Sequence, residues 1–161
     1  MARRMKLAAA LAVMLAVGSA EAQDERSTPY WASISAGKAL MRTGPGRNYP
    51  ATWLYVRADL PIRVVETYPN WRKVSDPDGT TGWMLQRLLS DTRTALVTGD
   101  SARPMHREPA EDSPVRFLAQ PGVVGRISKC RGGWCLLDVG GRQGYVRTEH
   151  FWGLDPGGTL E

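Results

Sequence analysis

The chain has 161 residues, 21 lysines and arginines against 16 acids, and a formal net charge of +5. That length suits one ordinary domain or two very small ones. No basic stripe is dense enough to indicate nucleic acid, and no apolar stretch reaches the roughly 20 residues that a membrane span needs.

The first 22 residues read as a cleavable secretory signal peptide. Arg3, Arg4 and Lys6 form a positive start, Leu7 to Val17 is apolar, and Ala20-Glu21-Ala22 is a small-x-small site, with cleavage expected before Gln23. Met-Lys-Leu fits poorly after the paired arginines of a twin-arginine signal, so ordinary export is expected. Without Arg3, Arg4, Lys6 and Glu21, 18 cations face 15 acids, a net charge of +3. The remaining chain is expected in the periplasm, or alternatively secreted. Both cysteines, Cys130 and Cys135, lie in this exported part and flank Arg131 to Trp134, which places them across a hairpin as a structural disulfide.

After residue 23 helical periodicity gives way to short alternating or apolar runs divided by Gly, Pro, Asn and Asp. Strands are predicted near 31–35, 39–42, 53–56, 62–67, 71–75 and 81–84. After a polar stretch at 90–93, a second set is predicted near 95–98, 104–106, 116–119, 123–129, 134–139 and 143–147. The two sets superimpose. Met41 aligns with Met105, Pro45 with Pro109, Pro50 with Pro114 and Trp53-Leu54 with Phe117-Leu118; after single deletions Trp71 aligns with Trp134, and Gly82-Trp83-Met84 with Gly144-Tyr145-Val146. This is an internal repeat of about 60 residues, and a unit of that size with five or six strands is a small barrel. Asp76-Pro77-Asp78-Gly79 and Gly140-Gly141 read as the turns of equivalent hairpins.

In order, Met-Arg-x-Gly-Pro, Tyr-Pro, Leu-Pro-x-x-Val, Asn-Trp-x-x-Val, Asp-x-Asp-Gly-x-x-Gly-Trp and Leu-Leu-Ser resemble the bacterial SH3-like domain, in its exported Gram-negative form. The resemblance covers residues 30 to about 97, and about 94 to 154 resembles a divergent copy with Glu108-Pro109-Ala110 in place of Gly44-Pro45-Gly46. It implies an all-β chain: a signal peptide at 1–22, a flexible segment at 23–29, two small SH3-like β-barrels in tandem at 30–92 and 93–155, and a tail at 156–161. It further implies a binding or targeting module without catalysis. In relatives such domains ride on cell-wall hydrolases and are thought to hold peptide or peptidoglycan. Glu161 follows closely on the second unit, so no attached hydrolase is expected.

Arg42-Thr43-Gly44-Pro45-Gly46 lacks the following helix and Lys-Ser or Lys-Thr of a phosphate loop. It reads as a structural turn, with Gly44 and Gly46 permitting positive φ and Arg42 pinning loop carbonyls or a carboxylate. The alternative is a ligand-contacting rim. Trp71, Trp83, Trp134 and Tyr145 occupy repeat-equivalent places and read as core. Tyr49, Tyr55 and Tyr68 become Ser113, Ala119 and Arg131 in the second unit. They either line a binding groove, with Arg42 or Arg47 on its rim, or cover the contact between units.

Catalytic, metal and cofactor roles are not expected. His106 and His150 have no recognisable nucleophile partner and the wrong spacing for a zinc knuckle. Asp76, Asp78, Asp138 and Asp155 sit in or beside turns, and Glu66 stands alone on its strand. The expected partner is a peptide, peptidoglycan or an envelope protein. The alternative is an accessory subunit that docks on an envelope complex and takes no small ligand.

Overall fold

The computed structural model describes residues 26–155, 157 and 158. The expected signal peptide, part of the expected flexible segment and most of the expected tail lie outside the described residues.

Strand β1 (Tyr30–Ile34) leads to β2 (Ala39–Arg42), β3 (Ala51–Tyr55), β4 (Pro61–Tyr68), β5 (Trp71–Ser75), β6 (Thr81–Leu85) and the short β7 (Leu89–Ser90). The second unit repeats them as β8 (Thr94–Val97), β9 (Arg103–His106), β10 (Val115–Ala119), β11 (Val124–Arg131), β12 (Trp134–Val139), β13 (Arg142–Arg147) and β14 (Phe151–Trp152). A 3-10 turn precedes the last strand of each unit, Gln86–Leu88 in one and Thr148–His150 in the other. The sheets are antiparallel and ordered β3-β2-β6-β5-β4-β1-β7 and β10-β9-β13-β12-β11-β8-β14, so the two units share one topology. Each is a small SH3-like barrel.

Alternation along the strands puts one face of each inside. Ile34, Met41, Ile62, Val64, Val74 and Met84 form the first core; Val97, Met105, Ile127, Leu137 and Val146 form the second. Trp71, Trp83 and Trp134 are buried as expected, whereas Tyr145 is only half-buried. The polar stretch expected at 90–93 begins inside a strand, because Ser90 pairs with Ser33.

The hairpin turns follow their chemistry. Gly79 (φ 81°), Gly140 (59°) and Gly141 (88°) all occupy the left-handed region. Cys130 and Cys135 form a disulfide across the β11–β12 hairpin. Asp138 accepts from the Gly141 amide and the Gln143 side chain, both at 2.7 Å, and these bonds hold its carboxyl below the ordinary carboxylate range.

The barrels meet through side chains from β1, β4, the β3–β4 loop, β14 and the turn that follows it. Trp31 and Trp152 pack edge to face with ring centroids 4.8 Å apart, and the Arg63 guanidinium lies 5.6 Å from the Trp31 ring centre. Arg63 also approaches Asp155 at 3.9 Å, and Arg57 donates to the Gly122 carbonyl at 2.6 Å.

Candidate functional site

The β2–β3 loop is built the same way in both units. In the first, the Thr43 amide donates to Pro50, Gly46 to Gly44, and Tyr49 to Gly46. In the second, Arg107 donates to Pro114, Ala110 to Glu108, and Ser113 to Ala110. This bonding pattern places Arg47 over Glu111. Arg42 donates to the Tyr49 carbonyl at 2.7 Å, and His106 Nδ1 donates to the Ser113 carbonyl at 2.8 Å. Arg42 therefore pins the turn, as its guanidinium chemistry suggested.

The reason for the glycines differs from the expected one. Neither Gly44 nor Gly46 has positive φ. Each is instead crowded by side chains of its own loop: a Cβ on Gly44 would fall inside the Tyr49 ring's van der Waals envelope, and one on Gly46 would meet the Asn48 side-chain oxygen first and the Tyr49 ring at 3.1 Å. Gly44 is small because Tyr49 packs on it, and Gly46 because Asn48 and Tyr49 do.

Tyr55 requires a second correction. It is 6% exposed, and its hydroxyl donates to the Asp76 carboxylate at 2.8 Å, so its ring faces the core and is not available to a ligand. Burial, then the hydrogen bond and negative charge of Asp76, push its phenol well above the ordinary tyrosine range. Asp76 also accepts the amides of Asp78 and Thr80, at 3.0 and 2.8 Å. Tyr49 and Tyr68 are exposed, but Tyr49 lies on its own loop and Tyr68 packs edge-on against Trp83 at 6.3 Å. Neither they nor Tyr55 makes the inter-barrel contact described above, which belongs to Trp31, Arg57 and Arg63.

The open site of the first unit lies beside them, over Trp71. Two adjoining depressions, of about 810 and 430 Å³, share Arg47, Trp71, Leu85 and Arg87. The smaller has an apolar floor, including Leu40, Leu54 and Leu88, and a rim of Lys38, Arg42, Arg47 and Arg87 with no acid. The larger is walled by Arg26, Tyr30 and Arg72, and its one acid, Asp91, pairs with Arg26 at 2.6 Å. Arg72 is buried and fixed by bonds to the Tyr30 hydroxyl (3.0 Å) and the Trp71 carbonyl (2.9 Å). Lys38, Arg47 and Arg87 are exposed and have no acidic partner among the described residues. Of the five predicted binding residues, the structure brings Arg42 and Arg47 to this groove.

The matching surface of the second unit carries different side chains around an equally buried tryptophan. Trp71 pairs across the sheet with Leu85, and Trp134 pairs with Arg147. The Arg147 guanidinium lies 4.8 Å from the Trp134 ring centre and donates to Glu111 at 2.6 Å. His106 meets the Trp134 ring edge to face at 5.4 Å. Arg87 and Glu149 are the middle residues of the equivalent 3-10 turns. Of the groove residues missed from sequence (Trp71, Leu85, Arg87, Lys38), Arg87 carried a signal, the inversion of charge between repeats that it shares with Arg47: Arg47 against Glu111 and Arg87 against Glu149.

Among the described residues no group of three or more His, Cys, Asp or Glu side chains is placed to hold a metal, and no helix is long and apolar enough to cross a membrane.

Two SH3-like barrels of one shared topology define a tandem SH3-type protein. The sequence matches the family model "Bacterial SH3 domain" twice, over residues 35–91 and 100–153, and the chain belongs to that family of binding domains. Among solved structures it is similar to an NlpC/P60 family protein from Bacillus cereus, at 12% identity and a TM-score of 0.34 over 76% of this chain and 55% of that one. It is also similar to NlpC2 from Trichomonas vaginalis, at 13% identity and a TM-score of 0.35 over 78% of this chain and 48% of that one. The chain thus spans about half the length of these structures. No curated protein matches it.

Proposed function

We propose that this is an exported, non-catalytic binding module of the bacterial cell envelope, working in the periplasm, and that its first barrel holds a peptide or peptidoglycan strand. The observation that carries this reading is the pair of adjoining depressions that share Arg47, Trp71, Leu85 and Arg87. A volume of about 810 Å³ suits a few residues of an extended ligand. The adjoining smaller depression adds an apolar floor to bury, with Lys38, Arg47 and Arg87 offering charge at its rim. The signal-peptide pattern of residues 1–22 and membership of a binding-domain family support the setting.

Co-sedimentation with purified insoluble peptidoglycan tests it. The chain should pellet with the polymer, and Arg47→Glu with Leu85→Arg, which copies the Glu111–Arg147 pair of the second unit, should stay in the supernatant. A folded wild-type chain that remains soluble rejects the reading.

One observation favours a second reading, an accessory subunit that docks on an envelope protein complex. Trp53 and Leu54 on the edge strand β3 are 57% and 49% exposed, and Phe117 and Leu118 on the matching edge strand β10 are 38% and 65% exposed. Apolar edges repeated in this way are suited to burial against another protein. Recovery of one specific envelope protein, lost on Trp53→Ser, together with no retention on peptidoglycan, would support this second reading.

A further inference from the structure

We propose that the chain associates with a second copy of itself, the cationic face of one chain's first barrel meeting the acidic face of the other chain's second barrel. The two faces are the same part of the repeat with opposite charge. The proposal goes beyond the strand-binding reading and does not rest on it.

Each face combines a loop, a 3-10 turn and an apolar cross-strand pair on the adjoining strands. In the first barrel that pair is Leu40 and Leu54. Loop 43–50 and the turn Gln86–Leu88 hold Arg47 and Arg87 and no acid, and Lys38 and Arg42 extend the same rim. In the second barrel the pair is Pro104 and Leu118. Loop 107–114 and the turn Thr148–His150 hold Glu108, Glu111, Asp112 and Glu149 against one arginine, Arg107. Ala102 and His106 stand where the first barrel has Lys38 and Arg42. Glu111 accepts from Arg147, the residue before the turn, so the acidic loop and the turn lie side by side.

These charges are not met within the chain. Among the described residues Lys38, Arg47 and Arg87 pair with no acid, and Glu108, Asp112 and Glu149 pair with no cation. Both loops also lie at the strand ends remote from one contact between the barrels. Strand β3 runs from its loop toward Arg57, which donates to the Gly122 carbonyl, and β10 runs from its loop toward Gly122. That contact leaves both loops free. Like charges gathered on one surface repel one another, and a surface of opposite charge relieves the repulsion. An apolar centre within a charged rim is the usual anatomy of a protein interface. The second barrel supplies the opposite charge, an apolar pair of its own and the same loop bonding, in equal number with the first. The ion pairs formed would be exposed at the rim, so the association is weak and sensitive to salt.

Sedimentation equilibrium of the purified chain, over a range of protein concentrations at low and high salt, tests this with no other ligand present. At low salt the average mass should rise above that of one chain as concentration increases, and high salt should return it toward one chain. Arg47→Glu with Arg87→Glu should weaken association by about tenfold or more, and so should Asp112→Arg with Glu149→Arg, which spares the Glu111–Arg147 pair. All four positions are exposed, so both variants should keep the wild-type circular dichroism. Each variant retains the face that the other has lost. An equal mixture of the two should therefore rebuild one contact and stop at two chains. A wild-type chain that keeps the mass of one chain at every concentration overturns the proposal, and so does association that high salt leaves unchanged. Association that survives either pair of changes overturns it by placing the contact elsewhere. Two monomeric variants that stay apart when mixed overturn the pairing of these faces. None of these results bears on strand binding, which is read separately by pelleting with peptidoglycan.

Discussion

Arg42 and Tyr49 are tied by a hydrogen bond of 2.7 Å from a guanidinium N–H to a backbone carbonyl, and His106 ties Ser113 in the same place of the second barrel at 2.8 Å. Two unlike side chains thus perform one task, holding the end of the β2–β3 loop against the strand that precedes it. Arg42→Ala should lower stability by about 1–2 kcal/mol, while Arg42→His should retain most of that stability because the second barrel already uses histidine there. Urea denaturation of the two variants measures the difference. Equal losses would show that the bond is not what holds the loop.

Tyr49 and Gly44 form the other half of the loop. Gly44→Ala forces a methyl into the Tyr49 ring and should cost about 1–3 kcal/mol. In a Tyr49→Ala background the same change should cost under about 0.5 kcal/mol, since the obstruction is gone. A double-mutant cycle reads the coupling directly. An unchanged cost in that background would mean that Gly44 is required by its backbone and not by the ring.

The buried Tyr55–Asp76 bond makes stability depend on alkaline pH. The folded tyrosine titrates above the unfolded one, so its contribution is complete below about pH 10, the ordinary tyrosine value, and is lost as pH rises beyond it. Tyr55→Phe should lower stability at neutral pH by about 1–2 kcal/mol and flatten the alkaline decline. Thermal melts from pH 8 to 11 would show this, and parallel curves for the two proteins would exclude Tyr55 as the titrating group.

Trp31 and Trp152 join the barrels, and Trp31 is 7% exposed. Trp31→Ala should cost about 3–5 kcal/mol and split a single unfolding transition into two. Calorimetry distinguishes this outcome from a simple downward shift of one transition, which would mean that the barrels remain coupled through Arg57 and Arg63.

Much of the fold was legible in the sequence. Trp71–Ser75 and Trp134–Val139 coincide with their predicted strands, and the alignment of Met41 with Met105 marks one core position. Local chemistry fixes such features: alternation, turn residues and the need for a large apolar group in a small interior. The groove was legible only in part. Tyr55 looked dispensable because Ala119 replaces it, yet its hydroxyl is held by an aspartate 21 residues further along the chain. Gly44 and Gly46 suggested left-handed backbone because their smallness has two possible causes, and only the positions of the Asn48 and Tyr49 side chains decide between them. Trp71, Leu85, Arg47 and Arg87 come from separate strands and loops, so no local pattern joins them. Comparison of charge between the repeats, Arg47 with Glu111 and Arg87 with Glu149, carries that information, whereas comparison of aromatics leads to Tyr49 and Tyr68.

The most direct test of the central claim is a nuclear magnetic resonance map of the full chain titrated with a soluble peptidoglycan fragment. The largest shifts should fall on the Trp71 indole and on the amides of Asn70, Arg72, Leu85 and Arg87, with little change around Trp134 and Arg147. Shifts centred on Trp134, or on the exposed edges at Trp53 and at Phe117-Leu118, would contradict the account.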